Sequence, residues 1–171
     1  MQVQHADNQK IYLAFLFARA YNKFEDKRGK TMLERKVQNF FNNPRNIRKF
    51  GIKLAYLFGS AADGRFRAQS DLDIGVLFTE PRRSQDLFPQ SALLQIELRH
   101  QIQHAIDLVI LNFAPPLLKH EVIGGRNLFV EHEKTRLEFE KKAENEYKKF
   151  EKKMNLKFRR KLPAWSISAI F

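Results

Sequence analysis

The sequence contains no cysteine and no apolar run long enough to cross a bilayer. Without cysteine, disulfides and thiolate metal sites are excluded, and a reducing cytoplasm is the expected location. The apolar segment Ile11–Phe17 has the outline of a signal peptide, but Asp7 precedes it and Arg19 follows it, so we predict no export. Among the five histidines, His100 and His104 stand one helical turn apart without a third partner, and we predict no zinc site.

The net charge of +12 is unevenly distributed along the chain. Residues 1–53 carry 12 basic and 4 acidic side chains, residues 54–133 carry 7 and 10, and residues 134–171 carry 12 and 5. The basic flanks can attract nucleic acid, acidic proteins or anionic membranes without sequence selectivity. The mixed Glu and Lys pattern of Lys134–Lys153 instead favours a solvated helix face. Nucleic acid therefore stays an open but not a favoured partner, and no membrane partner is predicted.

Hydrophobic periodicity divides the 171 residues into one predicted domain with two flanking segments. Residues 1–31 are interpreted as an accessory segment or an over-long start, because Met32 is a credible native start. Residues 32–153 form the predicted domain, and residues 154–171 form a basic and apolar tail. Helices are predicted at Met32–Phe41, Gln85–His104, Pro116–Ile123 and Thr135 to about Lys153, and strands at Leu54–Phe58, Asp71–Leu77, Ala105–Leu111 and Asn127–Val130. The expected fold is α/β (α+β), with a small mixed β-sheet flanked by helices.

A Gly-Ser turn closes the first predicted strand. The apolar run Leu54–Phe58 is followed by Gly59 and Ser60, and then by two alanines that favour a helix. Gly59 has no side chain to obstruct the approach of a ligand to the backbone. Backbone N–H groups at the start of a helix bind phosphate readily. The segment therefore predicts a strand, a turn and a helix start that accept a phosphate group.

Two carboxylates one residue apart open the second predicted strand. Alternation along a strand places Asp71 and Asp73 on one face. Neighbouring carboxylates repel each other unless cations lie between them, and Mg²⁺ takes oxygen ligands together with substrate phosphates. Asp107 begins a further β-type run and would face the same cavity if the two strands are neighbours. Three aspartates could then hold two metal ions roughly 4 Å apart.

The segment Gly59–Val76 has the pattern G-S-x-A-x-G-x5-S-D-x-D-x-x-V. This pattern resembles the signature of the nucleotidyltransferases that are similar to DNA polymerase β. The resemblance extends weakly over Leu54–Phe139 and is specific only within the pattern itself. It implies that Gly59, Ser60 and Ser70 bind the nucleotide, and that Asp71, Asp73 and Asp107 bind Mg²⁺ and form the catalytic set.

Within this superfamily the chain most resembles the MNT antitoxins of HEPN/MNT toxin–antitoxin pairs. The reasons are its short length, the strand that contains Asp107 and the segment Arg136–Glu140. The resemblance implies transfer of AMP from ATP to a tyrosine of a HEPN toxin, which is a ribonuclease. It also implies a hetero-oligomer with that toxin in the cytoplasm.

One residue departs from the family pattern and keeps other functions open. Asp63 stands between the alanine and the glycine of the first motif, where many family members carry a basic residue. A carboxylate there adds negative charge near a triphosphate unless it points to solvent or pairs with Arg65 or Arg67. The alternatives are an antitoxin that masks its toxin without catalysis, a nucleotidyltransferase acting on a small molecule or an RNA end, and a nucleic-acid-binding repressor.

Overall fold

A computed structural model of the chain describes residues 32–63, residue 67, and residues 70–79 and 87–161, with the side chains of the last helix described to Leu156. The predicted accessory segment, the motif residue Gly64, Arg65 and the residues after position 161 lie outside the described part. Within the described residues, no helix has the length and apolar character that a membrane crossing requires.

The described residues form five α-helices and four β-strands. The helices are α1 (Met32–Phe41), α2 (Pro44–Phe50), α3 (Leu87–Ile102), α4 (Pro116–Ile123) and α5 (Glu133–Lys161). The strands are β1 (Ile52–Phe58), β2 (Leu72–Phe78), β3 (Ile106–Ile110) and β4 (Arg126–Val130). A single turn of 3₁₀ helix, Gly59–Ala61, follows β1 directly.

The four strands form one mixed sheet in the order β3-β2-β1-β4. β1 pairs antiparallel with both β2 and β4, whereas β2 pairs parallel with β3. A parallel pair needs a crossover connection, and α3 lies in that connection between β2 and β3. The predicted fold, a small mixed sheet flanked by helices, is confirmed.

Apolar side chains of the sheet alternate between two layers of helices. On one face, the alternate residues of β2 pack with α1 and α3; the members include Val37, Leu94, Leu98, Leu72, Ile74, Val76 and Phe78. On the other face, β1 packs with α4 and α5 through Leu54, Tyr56, Phe58, Val122 and Phe139. Successive side chains of a strand point to opposite faces of the sheet, so a strand covered by helices on both faces buries all of its side chains. The second face also carries the predicted catalytic residues, because Asp73 alternates with Ile74 along β2.

Helix α3 ends earlier than the sequence predicts. The predicted helix reached His104, but α3 ends at Ile102, because Gln103 adopts a left-handed conformation with φ of 59°. That conformation is uncommon for a residue other than glycine and breaks the helical path. The chain therefore turns directly into β3 and brings Ala105 beside the start of β2, where its carbonyl accepts a hydrogen bond of 3.0 Å from the Leu72 N–H.

Helix α4 lies directly against the strand that carries Asp73. A Cβ atom on Gly75 would lie 2.5 Å from Cγ1 of Val122, which is closer than non-bonded carbons can approach. The absence of a side chain at Gly75 thus sets how closely α4 packs on β2. As a result, the strand next to the predicted site has an apolar cover and little freedom to shift.

A polar network attaches the first half of α5 to the centre of the sheet. The buried Tyr56 hydroxyl donates a hydrogen bond of 3.2 Å to Oε1 of Glu140. Arg136 donates to both carboxylate oxygens of Glu140, at 3.0 and 2.8 Å. Burial, together with the charge of Glu140, raises the pKa of Tyr56, so the hydroxyl keeps its proton and stays a donor. The second half of α5 continues past the predicted end at Lys153 to Lys161.

Candidate active site

Two of the three predicted metal ligands lie directly beside each other in the sheet. Asp73 of β2 and Asp107 of β3 are register partners in the parallel pair. Neighbouring strands are about 4.8 Å apart, and side chains at paired positions of a parallel pair point to the same face. The condition set by the sequence, that the strand with Asp107 lie next to the strand with Asp73, is therefore met.

The third predicted ligand stands just outside the strand. β2 begins at Leu72, so Asp71 precedes it and is exposed, rather than lying within the strand as the alternation predicted. Its charge nevertheless reaches Asp73. Burial, followed by the charges of Asp107 and Asp71, raises the pKa of the Asp73 carboxyl. The three carboxylates thus share one electrostatic environment, and Asp73 is its central member.

Gly59 contacts this carboxylate cluster from the neighbouring strand. Phe58, the last residue of β1, pairs with Asp73, and Gly59 then turns the chain with φ of 64°. A Cβ atom at Gly59 would overlap Oδ2 of Asp73 and lie 3.1 Å from its Cγ. Glycine is required here twice, for the left-handed backbone and for the space that the carboxylate occupies. The structure therefore brings the two sequence motifs into direct contact.

The Gly-Ser turn is shorter than the predicted helix start. Gly59–Ala61 forms one turn of 3₁₀ helix, closed by hydrogen bonds from the N–H groups of Ala62 and Asp63 to the Gly59 carbonyl, at 3.1 and 3.2 Å. Ser60 is half-buried within the turn, and Asp63 is exposed at its end. Within the described residues, which exclude 64–66, the turn is not seen to continue into an α-helix, and its role in binding phosphate stays a prediction.

Ser70 and His104 fix the entry into β2. The Ser70 N–H donates to the Arg67 carbonyl at 2.9 Å, and the Ser70 hydroxyl accepts from the Arg67 N–H at 3.3 Å. Nε2 of His104 lies 2.8 Å from the Ser70 carbonyl, which can only accept, so this nitrogen carries the proton. His104 follows α3 and precedes β3, so the contact ties the Asp71 segment to the strand that carries Asp107. The nucleotide-binding role of Ser70 stays a prediction.

The three aspartates suit a hard divalent cation, but they do not surround it completely. In the described part of the chain, no three His, Cys, Asp or Glu side chains converge as a preformed metal cluster. Asp71, Asp73 and Asp107 offer only carboxylate oxygens, which Mg²⁺ prefers, and their mutual repulsion would be relieved by a cation. Mg²⁺ also keeps substrate phosphates among its ligands. These residues therefore fit an ion that arrives with a nucleotide better than an ion held by protein alone.

Arg126 is a candidate functional residue that the sequence analysis missed. Its Nη2 donates a hydrogen bond of 3.0 Å to the Ala61 carbonyl, at the end of the Gly-Ser turn. The same guanidinium forms an ion pair with Glu34 of α1. Arg126 opens β4, at the sheet edge opposite β3, and thus connects the turn to α1. No motif marks it in the sequence, because its partners lie 65 and 92 positions away.

If the turn binds ATP, as the family resemblance implies, replacing Arg126 with glutamine is expected to raise the KM for ATP roughly three- to tenfold, with a smaller effect on kcat, because a hydrogen bond from a charged donor to the turn is lost. Arg126→Lys keeps a positive charge near Glu34 without the fork of donors, and we expect an intermediate KM. Steady-state kinetics with varied ATP would measure both constants. A lower melting temperature with unchanged KM would limit Arg126 to a structural role.

The Gly59 turn and the carboxylates of β2 and β3 thus lie together on one face of the sheet. The model of the protein family described as "Polymerase beta, Nucleotidyltransferase" matches residues 35–135. The match covers more than half of the chain, and the protein therefore belongs to this family. This result confirms the family resemblance carried by the segment Gly59–Val76.

Among curated proteins, the chain is similar to one of Methanocaldococcus jannaschii that is named as a protein adenylyltransferase. The two are 35% identical over 76 residues, which is 44% of this chain and 77% of the relative. The fold is also that of two solved structures. One is a toxin–antitoxin complex with AMP-PNP, with a TM-score of 0.57 and 21% identity over 75% of this chain and 94% of that chain.

The second solved structure is a tri-AMPylated HEPN toxin of Shewanella oneidensis in complex with its MNT antitoxin. The TM-score is again 0.57, with 21% identity over 75% of this chain and 98% of that chain. At this identity the likeness concerns the fold. It extends over nearly the whole of the neighbour, so most of that fold is present in this chain.

Proposed function

We propose that this protein is the antitoxin of a HEPN/MNT pair and transfers AMP from ATP to a tyrosine of its HEPN toxin. The observation that carries the proposal is the register pairing of Asp73 with Asp107, directly beside the Gly59 turn. A protein adenylyltransferase among the relatives and a fold shared with MNT antitoxins support the choice of acceptor. The proposed setting is the cytoplasm, in a hetero-oligomer with the toxin.

Chemically, the tyrosine oxygen bonds to the α-phosphorus of ATP while the bond from that phosphorus to the bridging oxygen breaks. Pyrophosphate leaves with the bridging oxygen. The hydroxyl proton passes to a base, a role that we assign to Asp107, because it is more exposed than Asp73. Bound Mg²⁺ would supply the positive charge that offsets the phosphates and carboxylates.

The remaining residues position the nucleotide. Gly59 and Ser60 present the turn against which the triphosphate would lie, and Ser70 holds the segment that precedes Asp71. Asp71 and Asp73 would bind the metal together with Asp107. A related solved complex is a variant with two Asp-to-Glu changes one residue apart, the spacing of Asp71 and Asp73.

The test is to incubate the protein with labelled ATP, Mg²⁺ and the protein encoded by the neighbouring gene, which the proposal takes to be the toxin. Intact-mass analysis should show one or more AMP groups on the toxin and none when Asp71 and Asp73 are both replaced by asparagine. Glu121→Gln is the matched control, because it removes an exposed carboxylate outside both the carboxylate cluster and the Gly-Ser motif, and it should retain labelling. Neutralisation of the toxin by the double variant would instead indicate masking without catalysis.

A further inference from the structure

Helix α5 carries a stripe of lysines along one face. The stripe consists of three adjacent pairs, Lys141 and Lys142, Lys148 and Lys149, and Lys152 and Lys153, and all six residues are exposed. Successive pairs are seven and four residues apart, so they fall in two neighbouring rows on the same side of the helix. We call this surface the lysine stripe.

Apart from Lys142, which also lines the cavity beside Ala143 and Glu146, the stripe lies away from the side of α5 that packs on the domain. Ala143 is buried, and Tyr147 and Phe150 are half-buried at positions spaced four and three residues apart. The Tyr147 ring stacks on His120 of α4, with centroids 4.0 Å apart. Along residues 143–150 this side of α5 packs on the domain, which leaves the lysines on the solvent side of the helix.

Helix α5 also projects beyond the body of the protein. Its 29 residues span about 43 Å at 1.5 Å per residue, and every residue of 151–156 is exposed. Residues 148–161 contain eight basic side chains and one acidic side chain. The projecting half of α5 is therefore strongly basic in sequence.

The lysines of the stripe are available to a partner. Within residues 87–156, no ion pair involves any of the six, whereas Lys119 on α4 pairs with Glu146 at 2.9 Å. Glu144, Glu146 and Glu151 lie along the flanks of the stripe and not between its two rows. A solvated helix face, as predicted from sequence, normally carries alternating and paired charges. Between its two rows, from Lys141 to Lys153, the stripe instead carries no acidic residue.

We propose that the lysine stripe binds the phosphate backbone of double-stranded nucleic acid, in addition to the proposed transferase function. A duplex carries one negative charge per about 1.7 Å of its axis with both strands counted, so the stretch from Lys141 to Lys153, about 18 Å, runs beside a segment with about ten phosphates, of which those on the near side face the lysines. A duplex is close to straight over this length, because its persistence length is about 150 base pairs. Contacts of this kind carry no sequence preference.

Fluorescence anisotropy with labelled 20-base-pair DNA and RNA duplexes, from 50 to 300 mM NaCl, tests the proposal on the full-length protein. A stripe variant replaces Lys148, Lys149, Lys152 and Lys153 with glutamine. A matched control variant removes the same charge from exposed positions on α1 and α2 by changing Arg35, Arg45, Arg48 and Lys49 to glutamine. Circular dichroism and melting temperatures should show both variants folded.

The stripe variant should lose more than about tenfold in duplex affinity at 100 mM NaCl, and the slope of log K against log salt should fall by about three to four. The control variant should change that slope by less than about one. The DNA and RNA arms identify which duplex is preferred. The proposal would be overturned by equal losses of affinity in both variants or by no duplex binding at 50 mM NaCl. It would also be overturned by tighter binding of single strands, or by binding only to phosphatidylserine vesicles.

Discussion

Replacing Gly59 with alanine is expected to lower the rate of AMP transfer about a hundredfold and the free energy of unfolding by about 1–2 kcal/mol. The stability loss follows from the φ of 64°, because a left-handed conformation costs an L-residue about that much. The activity loss follows from the overlap of the new Cβ with Oδ2 of Asp73. A displacement of about 1 Å at a reacting centre costs about a hundredfold in rate.

Gly124→Ala is the matched control for this prediction. Gly124 follows α4 with φ of −73°, and its Cβ would lie 3.4 Å from the nearest atom, the Glu121 carbonyl oxygen. Alanine is compatible with this backbone, so stability should be unchanged or slightly higher. Chemical denaturation and AMP-transfer assays on both variants measure the difference. Full activity in Gly59→Ala would contradict the contact between the turn and the carboxylate cluster.

Replacing Asp73 with asparagine is expected to abolish transfer and to leave the metal-free protein at least as stable at neutral pH. Loss of a group that only supports a metal ligand typically lowers metal affinity or activity 10- to 100-fold. Removal of the central carboxylate should therefore lower the transfer rate by more than about a hundredfold. The free energy of unfolding should not fall, because burial and the charges of Asp107 and Asp71 raise the pKa of Asp73. A carboxyl with a raised folded-state pKa favours folding while protonated and loses that advantage as pH rises through the raised pKa.

At neutral pH the ionised Asp73 therefore opposes folding, and asparagine removes that repulsion. Thermal melts at pH 7 with and without Mg²⁺, combined with the transfer assay, measure both effects. Mg²⁺ with ATP should raise the melting temperature of the native protein and not that of the variant. A variant that melts well below the native protein without metal would contradict the repulsive cluster.

Most of the fold and the carboxylates could be predicted because their signals are local. Three apolar runs predict β-strands independently of the rest of the sequence: one before Gly59, one after Asp71 and one around Asp107. The alternation of apolar and polar residues does not predict which strands pair with each other. The sequence predicted a shared cavity only if β2 and β3 are neighbours, and the crossover through α3 decides that.

The parts that the sequence did not predict depend on distant or backbone-specific contacts. Arg126 reaches the Ala61 carbonyl across 65 positions, and no periodic pattern encodes that distance. Helix α3 ends at Gln103, a residue type without a preference for positive φ, so its helical period continued in the sequence past the real end. In both places tertiary structure overrides the local preference.

The crossover between β2 and β3 has a consequence for synthesis of the protein on the ribosome. Asp73 and Asp107 are 34 positions apart, and their strands become neighbours only after α3 has packed on the sheet. Val122, which covers Gly75, is made later still. A nascent chain thus lacks a complete carboxylate set until nearly the whole sheet has emerged. Nucleotide transfer could therefore not begin before translation has delivered β3, and α4 would complete the packing around Gly75 afterwards.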